Sequence, residues 1–164
     1  MSKVGVFYGS TTGDTEELVM SLPAELKDYD VDIYNVNSAA KTDIEKYDNL
    51  IFASSTWGLG ELQDDWVDFI DVVKEADLNS KKLAFLGTGD QDMYPDSFVD
   101  AIGIIYEAVK NSGAEFVGQY PVESYDFSES RAVVDGKLIG LAIDNTNQAE
   151  LTAERLSEWC TDLF

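Results

Sequence analysis

The sequence contains no histidine and one cysteine, Cys160. Without histidine there is no Ser-His-Asp triad, and the usual general base and commonest metal ligand are missing as well. A lone cysteine makes no internal disulfide, iron-sulfur cluster or zinc site, which fits a reducing compartment. Basic residues are also scarce: 11 Lys and Arg stand against 32 Asp and Glu, a net charge of -21. A phosphate backbone or an anionic bilayer repels such a surface, so nucleic acid and membrane are excluded as partners and basic proteins are favoured. Apolar runs are only a handful of residues long, so neither a signal peptide nor a transmembrane span is expected, and the chain reads as cytoplasmic. What is present is enough for a core. The 164 residues, 45% of them hydrophobic and 12% aromatic, make one domain over 1–164 rather than a disordered acidic tail.

Short β-rich runs alternate with helical patterns, with no linker between them. Strands are expected at residues 3–8, 31–36, 48–54, 82–88 and 114–120. The first, third and fourth are nearly all apolar, as strands covered on both faces must be. Helical patterns fall at 14–28, 63–76, 98–112 and 148–163, with a short segment near 42–47. This alternation predicts an α/β fold: a five-stranded parallel sheet with right-handed crossovers and helices on both faces. Pro23 should kink or end the first helix near Leu22. Residues 121–140, with a turn-like Asp135-Gly136, read as a loop or hairpin interrupting the last strand.

Three strand ends carry candidate chemistry. The first runs into Ser10, Thr11, Thr12, Gly13, Asp14 and Thr15, where hydroxyls, backbone N–H groups and a helix dipole suit an anion. No lysine follows Gly13, so ATP hydrolysis is not suggested. The alternative is an ordinary helix start with Thr12 or Asp14 as N-cap. The third strand ends in Ser54, Ser55, Thr56, Trp57, Gly58, Leu59 and Gly60. Its tryptophan is either a platform for a flat ring or a residue folded onto the domain's own surface. The fourth ends in Thr88, Gly89 and Asp90, followed by Tyr94, which taken singly is a helix-start residue packing locally. With strand order 2-1-3-4-5, all three loops meet at the carboxyl edge beside the switch point. A phosphate cradle between two aromatics there describes a mononucleotide site.

At these residues the chain resembles the long-chain flavodoxins. The likeness runs through 7–16 (FYGSTTGDTE), 56–63 (TWGLGELQ), 87–91 (GTGDQ), 132–137 (AVVDGK) and 140–144 (GLAID). That family is itself the standard example of a mononucleotide at this crevice. The resemblance implies a three-layer flavodoxin-like fold with tightly but non-covalently bound FMN and no catalytic or metal residues. It puts the phosphate on Ser10 to Thr15 and the ring between Trp57 and Tyr94. Residues 54–60 and 88–92 would meet the ribityl chain and ring edge. It further implies a monomeric low-potential one-electron carrier. Its partners would be basic-faced redox enzymes, such as a ferredoxin/flavodoxin NADP reductase or a 2-oxoacid oxidoreductase. Asp14, Ser55, Asp92, Met93 and Thr146 depart from the family pattern and bear on affinity and potential.

After the tryptophan loop, Trp66, Phe69, Ile70 and Val73 keep helical spacing while Asp64, Asp68, Asp71 and Glu75 share the other face, with Asp65 between. This ridge is either a solvated face or a docking surface. With Lys74 its one base, docking is favoured. Two other functions fit the composition, an FMN-dependent reductase on the same fold and a cofactor-free acidic interaction module. A receiver-type signalling domain fails, because Gly9-Ser10, Ser54-Ser55 and Tyr120-Pro121 stand where its acidic residues and lysine belong.

Overall fold

Apolar runs become the central strands. The computed structural model describes residues 1–57 and 59–164, and within them the chain begins β1 (Ser2–Gly9), α1 (Asp14–Met20), α2 (Leu22–Glu25), β2 (Tyr29–Asn35), α3 (Lys41–Glu45) and β3 (Asn49–Trp57). It continues β4 (Glu61–Leu62), α4 (Asp64–Glu75), β5 (Lys82–Thr88), α5 (Asp100–Val109) and β6 (Glu115–Phe116). Last come β7 (Val133–Val134), β8 (Lys137–Leu138), β9 (Leu141–Ile143), a 3-10 turn at Ala149–Leu151 and α6 (Thr152–Thr161).

The parallel sheet has the order β2-β1-β3-β5-β6, with β9 also on β5. This is the expected 2-1-3-4-5, with the fifth position built from two pieces. Lys82 and Leu83 at the start of β5 pair with Glu115 and Phe116, and Leu86 to Thr88 at its end pair with Leu141 to Ile143. Between the pieces, Tyr120 bridges Leu138, and β7 and β8 form the expected hairpin. Its turn residues Asp135 and Gly136 both have positive φ, 53° and 82°, the backbone a two-residue I′ turn requires.

Alternation along the strands divides the interior into two cores. Phe7, Leu50, Phe52, Leu83 and Phe85 pack with Ile44, Trp66, Phe69, Ile102 and Ile105 of α3, α4 and α5. Val4, Val6, Ile51, Ala53, Ala84 and Leu86 pack with Leu18, Val19, Leu22, Leu156 and Trp159 of α1, α2 and α6. The result is a three-layer sandwich.

Three expectations shift. The single helix at 14–28 is two, separated at Ser21, with Pro23 in the first turn of α2, where its missing N–H costs nothing. The third strand runs on to Trp57, because Thr56 and Trp57 pair antiparallel with Leu62 and Glu61 of β4 beyond the apolar layer. The helix expected from 98 starts at Asp100, behind Val99 in a left-handed conformation. Among the described residues, no helix is long and apolar enough to cross a membrane.

Candidate functional site

The carboxyl ends of β1, β3, β5 and β9 surround a pocket of about 200 Å³. Thr12 and Asp14 line it from the first loop, Ser55, Thr56 and Trp57 from the second, and Thr88, Gly89, Asp90 and Tyr94 from the third. Its fourth wall is Ile143, Asn145 and Thr146. Seven candidates, Ser10, Thr11, Gly13, Thr15, Ser54, Leu59 and Gly60, do not line it, and Gly58 lies outside the described residues.

The first loop is shaped by Gly13, the N-cap of α1, whose φ of 95° a side chain would strain. Neither Thr12 nor Asp14 caps the helix, contrary to the ordinary-cap alternative, and no side chain bonds its first-turn N–H groups. Those donors remain directed out of the helix end. The Gly13 N–H donates to Ser10 Oγ (3.1 Å), which closes the loop. Gln63 Nε2 donates to Thr11 Oγ1 (3.1 Å) from the start of α4. Gly9 leaves room for that amide, since a Cβ there would strike Gln63 and Trp66. Thr15 is buried, its hydroxyl 2.9 Å from that of Thr88, so it ties the first loop to the third. Among the described residues, no lysine or arginine lines the pocket. An anion here meets hydroxyls and backbone dipoles rather than cations.

Trp57 is 38% exposed and donates Nε1–H to Ser55 Oγ (3.1 Å). Thr56 Oγ1 accepts the Ala101 N–H at 3.1 Å and so caps α5. Buried Ser54 turns its hydroxyl onto the Ser55 carbonyl. Leu59 is exposed, and Gly60, with φ of 100°, donates its N–H to the Trp57 carbonyl (3.2 Å) and rests against Asp100 and Ser97. Asp100 is buried, and among the described residues its carboxylate accepts a single hydrogen bond, from the Arg131 N–H (2.7 Å). Burial raises its carboxyl above the ordinary range, and the Arg131 N–H and charge only partly oppose this.

Tyr94 is 41% exposed and six residues ahead of α5, so it does not start the helix. Its N–H bonds the Asp90 carbonyl (3.0 Å), while Asp90 Oδ1 accepts from Asp92 N (3.1 Å), Met93 N (2.9 Å) and Asn147 Nδ2 (2.7 Å). Behind this loop lies Asp144, fully buried. Burial alone would raise its carboxyl. The bonds from Asn147 and Gln91 outweigh that and hold it below the ordinary range.

On α4, Asp64, Asp68 and Asp71 are exposed and Asp65 is half-buried, tied to Gln63 Nε2 at 3.0 Å. Asp71 lies 4.0 Å from Lys74. Asp64 and Asp65 also occupy the first turn, where the helix dipole favours them.

Sequence reasoning missed Ile143, Asn145, Gln63 and Asp144. The signal for the wall was the GLAID segment, whose return beside β5 brings residues 143–146 to the strand ends. Nothing local in the sequence marks Gln63, a buried amide that joins two loops. A larger cavity, of about 770 Å³, lies under the insertion between Tyr125, Phe127, Arg131 and Val133, away from the strand ends.

The comparisons agree with this geometry. The family model described as Flavodoxin matches residues 6–159. A flavodoxin of Synechocystis sp. is 43% identical over 164 residues, covering 99% of this chain and 96% of the relative. A flavodoxin of Haemophilus influenzae is 43% identical over 165 residues, covering 100% and 95%. Among solved structures, Fusobacterium nucleatum flavodoxin bound to flavin mononucleotide superposes with a TM-score of 0.94 at 31% identity, covering 99% of this chain and 96% of that one.

Proposed function

The chain belongs to the flavodoxin family, and from that premise we propose that residues 1–164 form one FMN-binding domain that passes single electrons between redox enzymes. The observation that carries this reading is the pairing of two half-exposed aromatics, Trp57 and Tyr94, on one pocket beside an uncapped helix start. When bound, FMN supplies the one-electron redox chemistry. The protein's share is to hold the group and limit access to it. Ser10 to Thr15 would take the phosphate through hydroxyls and N–H groups. Trp57 and Tyr94 would cover the ring, and Ser54 to Gly60 with Thr88 to Asp90 would meet its edge and the ribityl chain. Asp14 sets a carboxylate near the phosphate, opposing it by charge while suiting the helix dipole.

Thr12 supplies the cleanest test, because its hydroxyl is exposed at the pocket whereas Thr15 is engaged by Thr88. Thr12→Ala should weaken FMN by roughly 1.5–3 kcal/mol, the value of a hydrogen bond to a charged group, and leave riboflavin nearly unaffected. Equal losses for both ligands in a fluorescence titration would sink the phosphate assignment.

Redox partners are part of the family's work. The finer reading is of a cytoplasmic monomer that meets basic-faced enzymes, such as a ferredoxin/flavodoxin NADP reductase or a 2-oxoacid oxidoreductase, through Asp64, Asp65, Asp68 and Asp71. A net charge of -21 supports steering toward a basic face, an effect that fades as the Debye length falls from about 10 Å at 0.1 M to about 3 Å at 1 M salt. Asp64→Asn with Asp68→Asn should slow reduction by a basic partner at low salt and flatten its salt dependence. Parallel wild-type and variant stopped-flow curves would make the ridge a solvated face only.

A further inference from the structure

Asp144 lies at the junction of β9 and the loop that forms the pocket's fourth wall, between Ile143 and Asn145. It is completely buried, and a buried carboxylate is tolerated only where donors replace the water it has lost. Five do so. Oδ2 accepts from Gln91 N (3.0 Å), Gln91 Nε2 (2.9 Å) and Asn147 Nδ2 (2.8 Å), and Oδ1 accepts from Thr146 N (3.1 Å) and Asn147 N (3.0 Å). These donors come from two segments that have no regular structure and must find partners for their backbone elsewhere. The Asn147 amide is shared, since the same nitrogen reaches Asp90 Oδ1 at 2.7 Å. Asp90 in turn receives the N–H groups of Met93 and Tyr94. Gln91 extends the knot to the insertion, where its Oε1 accepts the Asp126 N–H.

We propose that Asp144 is the positioning residue for Tyr94: through Gln91 and the Asn147–Asp90 bridge it fixes the loop that presents this ring to the flavin. The proposal rests on the flavin reading above. A carboxylate suits the role because it accepts five bonds at once, whereas an asparagine turns an N–H₂ group toward at least part of the same donor set. Asp144 does not itself line the pocket, and on this proposal its effect on binding passes through Tyr94 rather than through the Thr146 N–H that it also holds on the fourth wall. It should also be blind to the phosphate, which lies with the first loop.

The test is a double-mutant cycle on the whole chain, with dissociation constants for FMN and riboflavin read from the quenching of flavin fluorescence. Tyr94→Ala should weaken both ligands about tenfold by lost stacking. Asp144→Asn should weaken both by the same factor, up to about tenfold, with the bound-flavin fluorescence less quenched. The double variant should bind no worse than Tyr94→Ala. Losses that multiply in the double variant, or a loss larger for FMN than for riboflavin, would overturn the proposal, because Asp144 would then act by charge or by general destabilisation. Asn147→Ala, at an exposed residue, provides a second cycle should Asp144→Asn fail to fold. It should weaken both flavins about threefold, again with no effect once Tyr94 is gone. An unmodified protein that binds neither flavin would overturn the electron-carrier reading itself, whereas normal binding with multiplying losses overturns only the role of Asp144.

Discussion

Trp57 and Tyr94 flank one pocket, and each stands on a loop backed by a buried aspartate, Asp100 behind the first and Asp144 behind the second. Asp144 has five donors and titrates below the ordinary carboxylate range, while Asp100 has one and titrates above it. Burial is similar at the two sites, 0% and 6% exposed, so the number of donors decides the direction. The Tyr94 loop is therefore held by a satisfied charge. Behind Trp57, the Thr56 cap on α5 and the β3–β4 pairing do the holding, and the Asp100 carboxylate accepts one hydrogen bond from the described residues.

The sharpest way to break this contrast is to neutralise each aspartate. Asp144→Asn should cost about 3 kcal/mol near neutral pH, because it removes a buried charge and leaves donors facing an amide. Urea unfolding of the flavin-free protein measures this, and a loss below 1 kcal/mol would mean that the donors re-partner. The pH dependence follows from the direction of the shift. With a native pKa below the ordinary carboxylate value, the stabilisation is full above about pH 4 and disappears as pH falls through the native pKa. Wild type and Asp144→Asn should therefore converge in stability on the acid side, and unfolding curves that stay parallel down to pH 3 would contradict the assignment.

Thr56→Val should cost about 1 kcal/mol, the value of one helix cap, since the Ala101 N–H loses its acceptor while the side-chain volume is kept. Asp100→Asn should have the smallest effect and the opposite sign, a gain of under about 1 kcal/mol. The raised native pKa makes ionised Asp100 unfavourable at neutral pH, and the Arg131 N–H still finds an amide oxygen. That gain should shrink as pH falls through the native pKa and be gone below the ordinary carboxylate range, where wild type is protonated in both states. A destabilised Asp100→Asn would show instead that the carboxylate charge is used, and the contrast between the two loops would fail.

Most of the sheet was legible because strands covered on both faces must be apolar, and residues 4–8, 50–53 and 83–87 satisfy that without help from context. The interrupted last strand was legible as well, through the Asp135-Gly136 turn and a second apolar run after it. The extension of β3 to Trp57 was not. Ser55 and Thr56 are polar: Ser55 is held by Thr88 of β5, and Thr56 and Trp57 by β4, a partner of two residues that carries no periodicity. At the site, loop aromatics and a hydroxyl-rich turn are local signals and were found. Gln63, Asp144 and the wall at Ile143 and Asn145 depend on which segments meet in space. The GLAID segment hinted at the wall, but nothing local marks Gln63, and the N-cap went to Gly13 because its backbone conformation outweighs the side-chain preference of Thr12 or Asp14.

The division of the last strand also bears on the order in which the molecule is made. Paired residues among β1, β2, β3, β5 and β6 lie closer in sequence than those of β5 and β9, so their contacts close smaller loops. Leu141 to Ile143 reach the far end of β5 only after residues 117–140 have been brought round, and that closure carries its own entropic cost before any ladder bond repays it. The pocket wall and Asp144 lie on this late-arriving segment. The fourth wall of the cleft thus rests on the pairing of longest sequence separation in the parallel sheet, which favours its closure after the frame.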